Sequence, residues 1–69
     1  MDRISVIVPC YNEEKVLPLF YKETEKVLRQ IEGAEYEWIF IDDGSKDHTV
    51  DLLKSFVHQN PHCKYISFS

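Results

Sequence analysis

Two short polar segments hold the residues of this sequence that are best suited to chemistry. The first, Pro9 to Glu14, places a tyrosine beside two carboxylates, and the second, Asp42 to Ser45, begins with two more. Carboxylate oxygens accept hydrogen bonds from a base N–H and from ribose hydroxyls, and an aromatic ring stacks on the base. These residue types therefore suit a nucleoside. The alternative is that Asp43 and Ser45 only shape a turn and that Tyr11 packs on a helix, because turns favour such residues.

These two segments alone do not favour the binding of a phosphate group. Gly33 and Gly44 are the only glycines, so the chain has neither a Walker loop nor a GxGxxG turn to cradle a phosphate. Carboxylates repel phosphates, so a bound nucleoside diphosphate would require a divalent metal ion to offset the repulsion. We expect the protein ligands of this metal to lie beyond residue 69.

The composition narrows the class of protein. The chain has 69 residues and a net charge of −4, with 8 Lys and Arg against 12 Asp and Glu. It shows no Lys/Arg cluster with which to neutralise nucleic-acid phosphates, so we expect no nucleic acid as a partner. The longest apolar runs, 4–8 and 38–41, fall short of the ~20 residues that span a bilayer. Cys10 and Cys63 lack a CxxC spacing and fit reduced thiols, which predicts a cytoplasmic chain.

Three apolar runs predict strands. Residues 4–8 are apolar and mostly β-branched, which is typical of a strand buried on both faces of a parallel sheet. Pro9 should end this strand. Residues 37–41 form a second run that stops at the turn formers from Asp42, and residues 63–68 form a third.

A helix is predicted between the first two strands. It should begin between residues 14 and 17, hold Pro18 in its first turn and close at Gly33. Glu25 and Arg29 should form an exposed ion pair on it. The predicted buried stripe consists of Leu17, Phe20, Thr24, Val27 or Leu28, and Ile31.

A second helix should follow the second strand. Asp47 is its predicted N-cap, and Asn60 and Pro61 should end it, because proline disfavours the α conformation in the residue before it. Its predicted buried stripe consists of Val50, Leu53, Phe56 and Val57.

The element order predicts an α/β fold, a three-stranded parallel βαβαβ segment. Right-handed crossovers between adjacent strands put both helices on one face and give the strand order 3-2-1, with the first strand on an edge. Complete doubly wound folds usually have five or more strands, so we expect residues 1–69 to be the N-terminal segment of a larger domain. The open edge at 4–8 and a bare face exposing some of Val6, Val8, Ile39 and Ile41 predict that the segment self-associates.

Residues 6–14, followed by residues 41–49, resemble the opening of family 2 glycosyltransferases with the GT-A fold, and the resemblance covers the whole chain. Tyr11 to Glu14 and Leu17-Pro18 are most similar to the branch with dolichyl-phosphate mannosyltransferases and undecaprenyl-phosphate (bactoprenol) glycosyltransferases. The resemblance implies that residues 1–69 form the N-terminal nucleotide-binding segment of a Rossmann-like GT-A domain.

The resemblance also implies an activity. The full-length enzyme would transfer a hexose from a UDP- or GDP-sugar to an undecaprenyl or dolichyl phosphate, with Mg²⁺ or Mn²⁺, at the cytoplasmic face of the membrane. Residues 1–69 alone should be inactive and should bind nucleotide weakly. Alternatives are a family 2 glycosyltransferase with a glycan or polysaccharide acceptor, and a non-catalytic nucleotide-binding or interaction module.

Particular residues correspond to the nucleotide-sugar site of such enzymes. By that resemblance Pro9, Tyr11 and Glu13 line the pocket, with Tyr11 near the base and Glu13 at the ribose. In the second segment Asp43 would bind the base and Ile41 would lie beside it.

The resemblance gives Asp42 a different role, which is to orient the loop. His48 stands where a glycine is common, which should alter only the helix start. The catalytic carboxylate, the Asp-X-Asp metal motif and the acceptor site have no counterpart here, so no catalytic or metal residue is expected in residues 1–69.

Other reactive side chains favour structural roles. His58, His62 and Cys63 cross Asn60-Pro61 without a second ligand pair, which is a poor pattern for a metal site. Cys10 has no histidine in its sequence context to activate it, so packing is favoured over nucleophilic catalysis.

Overall fold

The computed structural model describes residues 2–68, which form three strands and two helices in alternation. The elements are β1 (Asp2–Cys10), α1 (Leu17–Arg29), β2 (Ala34–Asp43), α2 (Thr49–Gln59) and β3 (Cys63–Phe68). The strands form one parallel sheet in the order β1-β2-β3. The predicted α/β class, the central place of the second strand and the edge position of the first are therefore confirmed.

One face of the sheet is covered by both helices and holds the core. Successive side chains of a strand point to opposite faces, and here the even-numbered residues of β1 and β2 point to the helices. The buried apolar residues are Val8, Cys10, Leu17, Leu28, Trp38, Phe40, Leu53, Phe56 and Cys63. Aromatic rings fill the centre: Trp38 stacks on Phe40 with ring centroids 5.4 Å apart, and Tyr21 of α1 stacks on Phe56 of α2 at 4.3 Å.

Within the described residues, neither helix lies on the opposite face of the sheet. Ile7, Ile66 and Phe68 are all more than half exposed on this uncovered face. Ile39 is half-buried there, whereas Val8 is buried under the helices. Val6 packs partly against the core. The prediction of strands buried on both faces is therefore wrong for the described chain, and Val6 and Val8 do not belong to the bare face.

The first strand is longer than predicted. It continues through Pro9 to Cys10, so the expectation that Pro9 ends it is wrong. β1 is an edge strand, where proline is tolerated because an outward-facing N–H would have no partner to lose. β2 likewise begins at Ala34 rather than at residue 37.

The first helix begins at Leu17 with Pro18 in its first turn, as predicted, but it ends at Arg29 instead of Gly33. The N–H groups of Gln30 and Ile31 donate to carbonyls three residues back, at 3.1 Å, which tightens the last turn. Gly33 follows in the left-handed conformation, with φ of 75°.

The buried stripe of α1 also differs from the prediction. Leu17, Glu25 and Leu28 are buried. By contrast Phe20, Val27 and Ile31 are at least 43% exposed. The helix is thus rotated so that a glutamate, rather than three apolar side chains, meets the sheet.

The predicted ion pair of Glu25 and Arg29 is present, but only its Arg29 side is exposed. Glu25 is 8% exposed and accepts hydrogen bonds from the Tyr36 hydroxyl at 2.6 Å and the Trp38 indole N–H at 2.7 Å. The Arg29 guanidinium contributes a third at 3.4 Å. Burial by itself would raise the pKa of the Glu25 carboxyl, but these hydrogen bonds outweigh it and hold the pKa below its usual value.

The second helix runs from Thr49 to Gln59, and Asn60 adopts an extended conformation before Pro61, so the predicted end is confirmed. The N-cap position falls on His48, one residue later than predicted. The Asp47 carboxylate still caps the helix, because it accepts the Thr49 N–H at 2.9 Å. Of the predicted stripe, Leu53 and Phe56 are buried, and Val50 and Val57 are half-buried.

Candidate functional site

The two polar segments lie side by side at the carboxyl edge of the sheet. Cys10, the last residue of β1, is opposite Asp42 in the parallel register, so the loops that leave β1 and β2 start at the same level. In open parallel sheets, ligands bind beyond this edge. The sequence therefore correctly identified which two segments the fold brings together.

Side-chain hydrogen bonds join the two loops. Asn12 donates its backbone N–H to the Ser45 hydroxyl at 2.9 Å, and the Asn12 side-chain carbonyl accepts the Lys46 N–H at 2.7 Å. Asn12 has φ of 49°, a left-handed conformation that asparagine tolerates better than most residues. This reciprocal pair fixes the position of the first loop on the second.

The start of α2 holds the next two residues of the first loop. The Thr49 hydroxyl accepts the Glu13 N–H at 2.8 Å, and the Asp47 carboxylate accepts the Glu14 N–H at 3.2 Å. Thr49 in turn donates its hydroxyl to Asp47 at 2.6 Å. Sequence reasoning assigned no such role to Asn12 or Thr49. The Asp-x-Thr pattern at a helix start was the available signal, since both residue types cap helices.

Asp42 is directed into the protein. It is 1% exposed, and its carboxylate accepts the Ser45 N–H at 3.3 Å and the Ser67 hydroxyl at 3.1 Å. These contacts tie the turn after β2 to β3. In this position Asp42 shapes the loop and presents no open oxygen at the surface.

Asp43 faces the other way. Strand alternation turns it to the uncovered face, where it is exposed and lies opposite Phe68 in the register. Within residues 2–68 its carboxylate accepts no hydrogen bond. The next residue, Gly44, has φ of 74°, and a Cβ there would lie 3.3 Å from the Phe68 carbonyl oxygen, so glycine suits this turn.

Three of the predicted site residues form a row on the uncovered face. Pro9 is opposite Ile41 in the register, and Asp43 follows Ile41 on the same face. Pro9 is exposed and Ile41 is half-buried. We call Pro9, Ile41 and Asp43 the shelf.

The loop after β1 adds two more predicted residues beside the shelf. Tyr11 is 53% exposed and Glu13 is half-buried. Glu13 and Pro9 also border an apolar hollow of about 340 Å³ against α1. Five of the six predicted residues are thus exposed or half-buried at this edge, whereas Asp42 is buried.

The cysteine beside the shelf is not suited to nucleophilic chemistry. Cys10 is 1% exposed, and its thiol donates to the Val8 carbonyl at 3.4 Å. Burial, with the nearby charges of Glu13 and Asp42, raises the pKa of Cys10 to about 11, which disfavours the thiolate. Both cysteines are free and buried.

Across residues 2–68, no group of three or more His, Cys, Asp or Glu side chains is arranged to hold a metal ion. Over the same residues, neither helix combines the length and the apolar character needed to cross a bilayer.

Comparison with known proteins gives consistent matches. Residues 5–69 match the family described as Glycosyl transferase family 2. The chain is 37% identical over 67 residues to the prophage bactoprenol glucosyl transferase homolog of Escherichia coli (strain K12), an alignment covering 97% of this chain and 22% of that protein. The bactoprenol glucosyl transferase of Shigella phage SfV gives the same identity and coverage.

A third relative has a different printed activity. The undecaprenyl-phosphate 4-deoxy-4-formamido-L-arabinose transferase of Proteus mirabilis (strain HI4320) is 43% identical over 54 residues, which are 78% of this chain and 16% of that protein. The chain thus spans 16–22% of the length of these curated relatives.

Proposed function

Because the chain belongs to glycosyl transferase family 2, we propose that it forms the nucleotide-sugar-binding part of an enzyme that transfers a hexose from a UDP- or GDP-sugar to a polyprenyl phosphate. The printed names of three relatives, with bactoprenol or undecaprenyl phosphate in each, support a lipid phosphate as acceptor. The match of residues 5–69 to the family supports sugar transfer as the reaction class.

The observation that carries the proposal is the contrast between the two adjacent aspartates. The Asp42 carboxylate accepts hydrogen bonds from Ser45 and Ser67, whereas Asp43 is exposed on the shelf. An open carboxylate at the carboxyl edge of a parallel sheet can accept hydrogen bonds from the N–H groups of a base. We assign this role to Asp43, with Ile41 in contact with the base edge.

The first loop supplies the remaining contacts in this proposal. The Tyr11 ring stacks near the base, the Glu13 carboxylate accepts from the ribose hydroxyls, and Pro9 lines the shelf between them. The hydrogen bonds from Asn12 and Glu13 to the second loop hold these groups in place before the ligand arrives, which lowers the entropic cost of binding.

The proposed enzyme also binds a divalent cation, Mg²⁺ or Mn²⁺. The shelf offers the carboxylate of Asp43 and the first loop those of Glu13 and Glu14, but these are not arranged as a metal site, so the protein ligands are assigned outside the described residues. When bound, such a cation would offset the charge of the departing diphosphate.

The contribution of this chain to catalysis is positioning. A lipid phosphate is already ionised, so its attack on the sugar needs little general-base help. Holding the sugar nucleotide in a fixed orientation converts the encounter into an effectively unimolecular step. The shelf residues therefore act through donor binding rather than through proton transfer.

The test is sugar transfer by the full-length protein that carries this chain. Labelled UDP-glucose and GDP-mannose are offered with polyprenyl phosphate, and Asp43→Asn is compared with Asp51→Asn, which changes an exposed aspartate on α2. We expect Asp43→Asn to raise the donor KM about tenfold, as the loss of a charge-assisted hydrogen bond would, and Asp51→Asn to leave it unchanged.

Two results would reject parts of the proposal separately. Transfer only to a glycan, with no lipid product, would remove the polyprenyl acceptor while leaving the shelf intact. An unchanged donor KM in Asp43→Asn would remove the shelf assignment whatever the acceptor is.

A further inference from the structure

A second and larger hollow lies at the other end of the sheet. It has a volume of about 670 Å³ and lies between α1 and the turn that joins α2 to β3. Its lining includes Lys22, Lys26 and Arg29 of α1, Tyr36 of β2, and Asn60 and His62 of the turn. Tyr36 lies near the amino end of β2 and His62 directly precedes β3, so this basic hollow is separate from the shelf.

Three cations line one wall of the basic hollow. The sequence has no basic run, but a spacing of four and then three residues places Lys22, Lys26 and Arg29 on one stripe of α1. The helix thus groups three cations that are not adjacent in the sequence. Among residues 2–68, Lys22 has no carboxylate within 4.0 Å, and Lys26 has only an exposed contact with Glu23 at 3.8 Å.

The carboxylate in this hollow offsets only part of that charge, because Glu25 carries one negative charge against the three positive charges of Lys22, Lys26 and Arg29. Glu25 is the acidic residue among those that line it, and both of its oxygens already accept hydrogen bonds, from Tyr36 and Trp38. Arg29 donates to the same carboxylate and still has 73% of its side chain exposed. Glu25 thus anchors Arg29 at the rim while leaving most of the guanidinium open to a ligand.

The opposite wall is held rigidly. The Asn60 side chain donates to the Tyr21 hydroxyl at 2.8 Å and accepts the His62 N–H at 2.9 Å. The His62 and Tyr36 rings lie beside each other with centroids 5.5 Å apart. A cleft with a fixed wall needs little ordering when a ligand enters.

We propose that the basic hollow binds a small anion carrying two or more phosphate groups. Lys22 and Arg29 are about 10 Å apart along the helix axis, which is more than a single phosphate spans. The volume lies within the range of small-molecule sites, and the cleft is concave, which suits a soluble ligand better than a flat bilayer surface.

The experiment is a titration of the protein with inorganic tripolyphosphate at low salt, followed by calorimetry. Lys22→Gln is compared with Lys54→Gln, which removes the same charge from an exposed site on α2. We expect Lys22→Gln to weaken binding about fivefold and Lys54→Gln to leave it unchanged. A parallel arm measures sedimentation with vesicles of phosphatidylglycerol, which present the same phosphate chemistry on a surface.

Each outcome supports or overturns the proposal that the basic hollow binds a soluble polyphosphate. A selective loss in Lys22→Gln, with no vesicle binding, supports a soluble polyphosphate ligand. Equal affinity in the two variants, or no binding of tripolyphosphate to the unmodified protein, overturns the proposal. Binding to vesicles without binding to tripolyphosphate overturns the soluble ligand.

Discussion

The two faces of the sheet are formed by the same strands, but the carboxylates on them differ in their hydrogen bonding. On the covered face, Asp42 and the glutamate that α1 contributes, Glu25, have their oxygens occupied by protein donors. No buried side-chain N or O atom of residues 3–68 lacks a hydrogen-bond partner. On the uncovered face, Asp43 is open among apolar side chains. The comparison separates carboxylates that hold the fold from one that is available to a ligand.

The uncovered face should dominate the behaviour of the isolated chain. It exposes Ile7, Ile66 and Phe68, and β1 has an open edge of apolar, β-branched backbone. We therefore predict that residues 1–69 self-associate, through edge pairing or face-to-face packing. Sedimentation of Ile7→Lys should show a shift toward monomer.

Val27→Lys is the matched control, because Val27 and Ile7 are both 60% exposed but Val27 lies on α1. It should leave the self-association intact. A monomer at high concentration for the unmodified chain would show that the edge of β1 is protected. Equal dissociation by the two variants would show that the contact does not involve the sheet.

The largest effect on the covered face should come from Glu25→Ala. The change leaves the Trp38 N–H and the Tyr36 hydroxyl without their acceptor, which should cost about 3 kcal/mol of unfolding free energy. Urea unfolding followed by Trp38 fluorescence measures the loss. Glu23→Ala, on the exposed side of the same helix, should change the midpoint little, and similar losses in both would refute the role of Glu25.

Glu25 also shows which feature of the fold, the orientation of α1, could not be predicted from the sequence. The strand order followed from apolar runs and crossover handedness, and the pairing of the two loops followed from strand ends. The buried stripe of α1 followed only in part, because spacing alone also favours Phe20 and Ile31 and leaves Val27 and Leu28 as alternatives. Its orientation is set by donors on β2, Tyr36 and Trp38, which a single helix pattern does not contain.

The candidate site, like the fold, was predicted from the sequence only in part. Residue type and position at the carboxyl edge identified both loops, and alternation along β2 separates Asp42 from Asp43. The bonds that lock the loops together, from Asn12 to Ser45 and from Glu13 to Thr49, depend on long-range geometry. Their polar side chains have many possible partners in sequence, and only the folded register selects one.

Alkaline pH should lower the free energy of unfolding, because the Cys10 thiol is buried on the covered face. Burial raises the pKa of this thiol from 9.0 to about 11, so the folded chain keeps a proton that the unfolded chain loses. This contribution is fully present below pH 9 and is lost as pH rises through 11, by about 3 kcal/mol in all, roughly half of it between pH 8 and pH 10. Urea midpoints at pH 8 and pH 10 measure it.

Cys10→Ala supplies the control for that pH dependence. The variant loses packing at every pH, but its midpoint should fall less between pH 8 and pH 10 than that of the unmodified chain. An unchanged slope would mean that Cys10 titrates normally in the folded state.

The smallest predicted difference concerns the two glycines. Gly33 and Gly44 both have φ near 75°, so alanine should cost about 1 kcal/mol at either position. A Cβ at Gly33 meets no atom within 4 Å, whereas one at Gly44 lies 3.3 Å from the Phe68 carbonyl oxygen. Urea unfolding should therefore show a larger loss for Gly44→Ala, because β3 must shift by a few tenths of an ångström to accept it. Equal losses would mean that the end of β3 moves freely and does not support the loop beside the shelf.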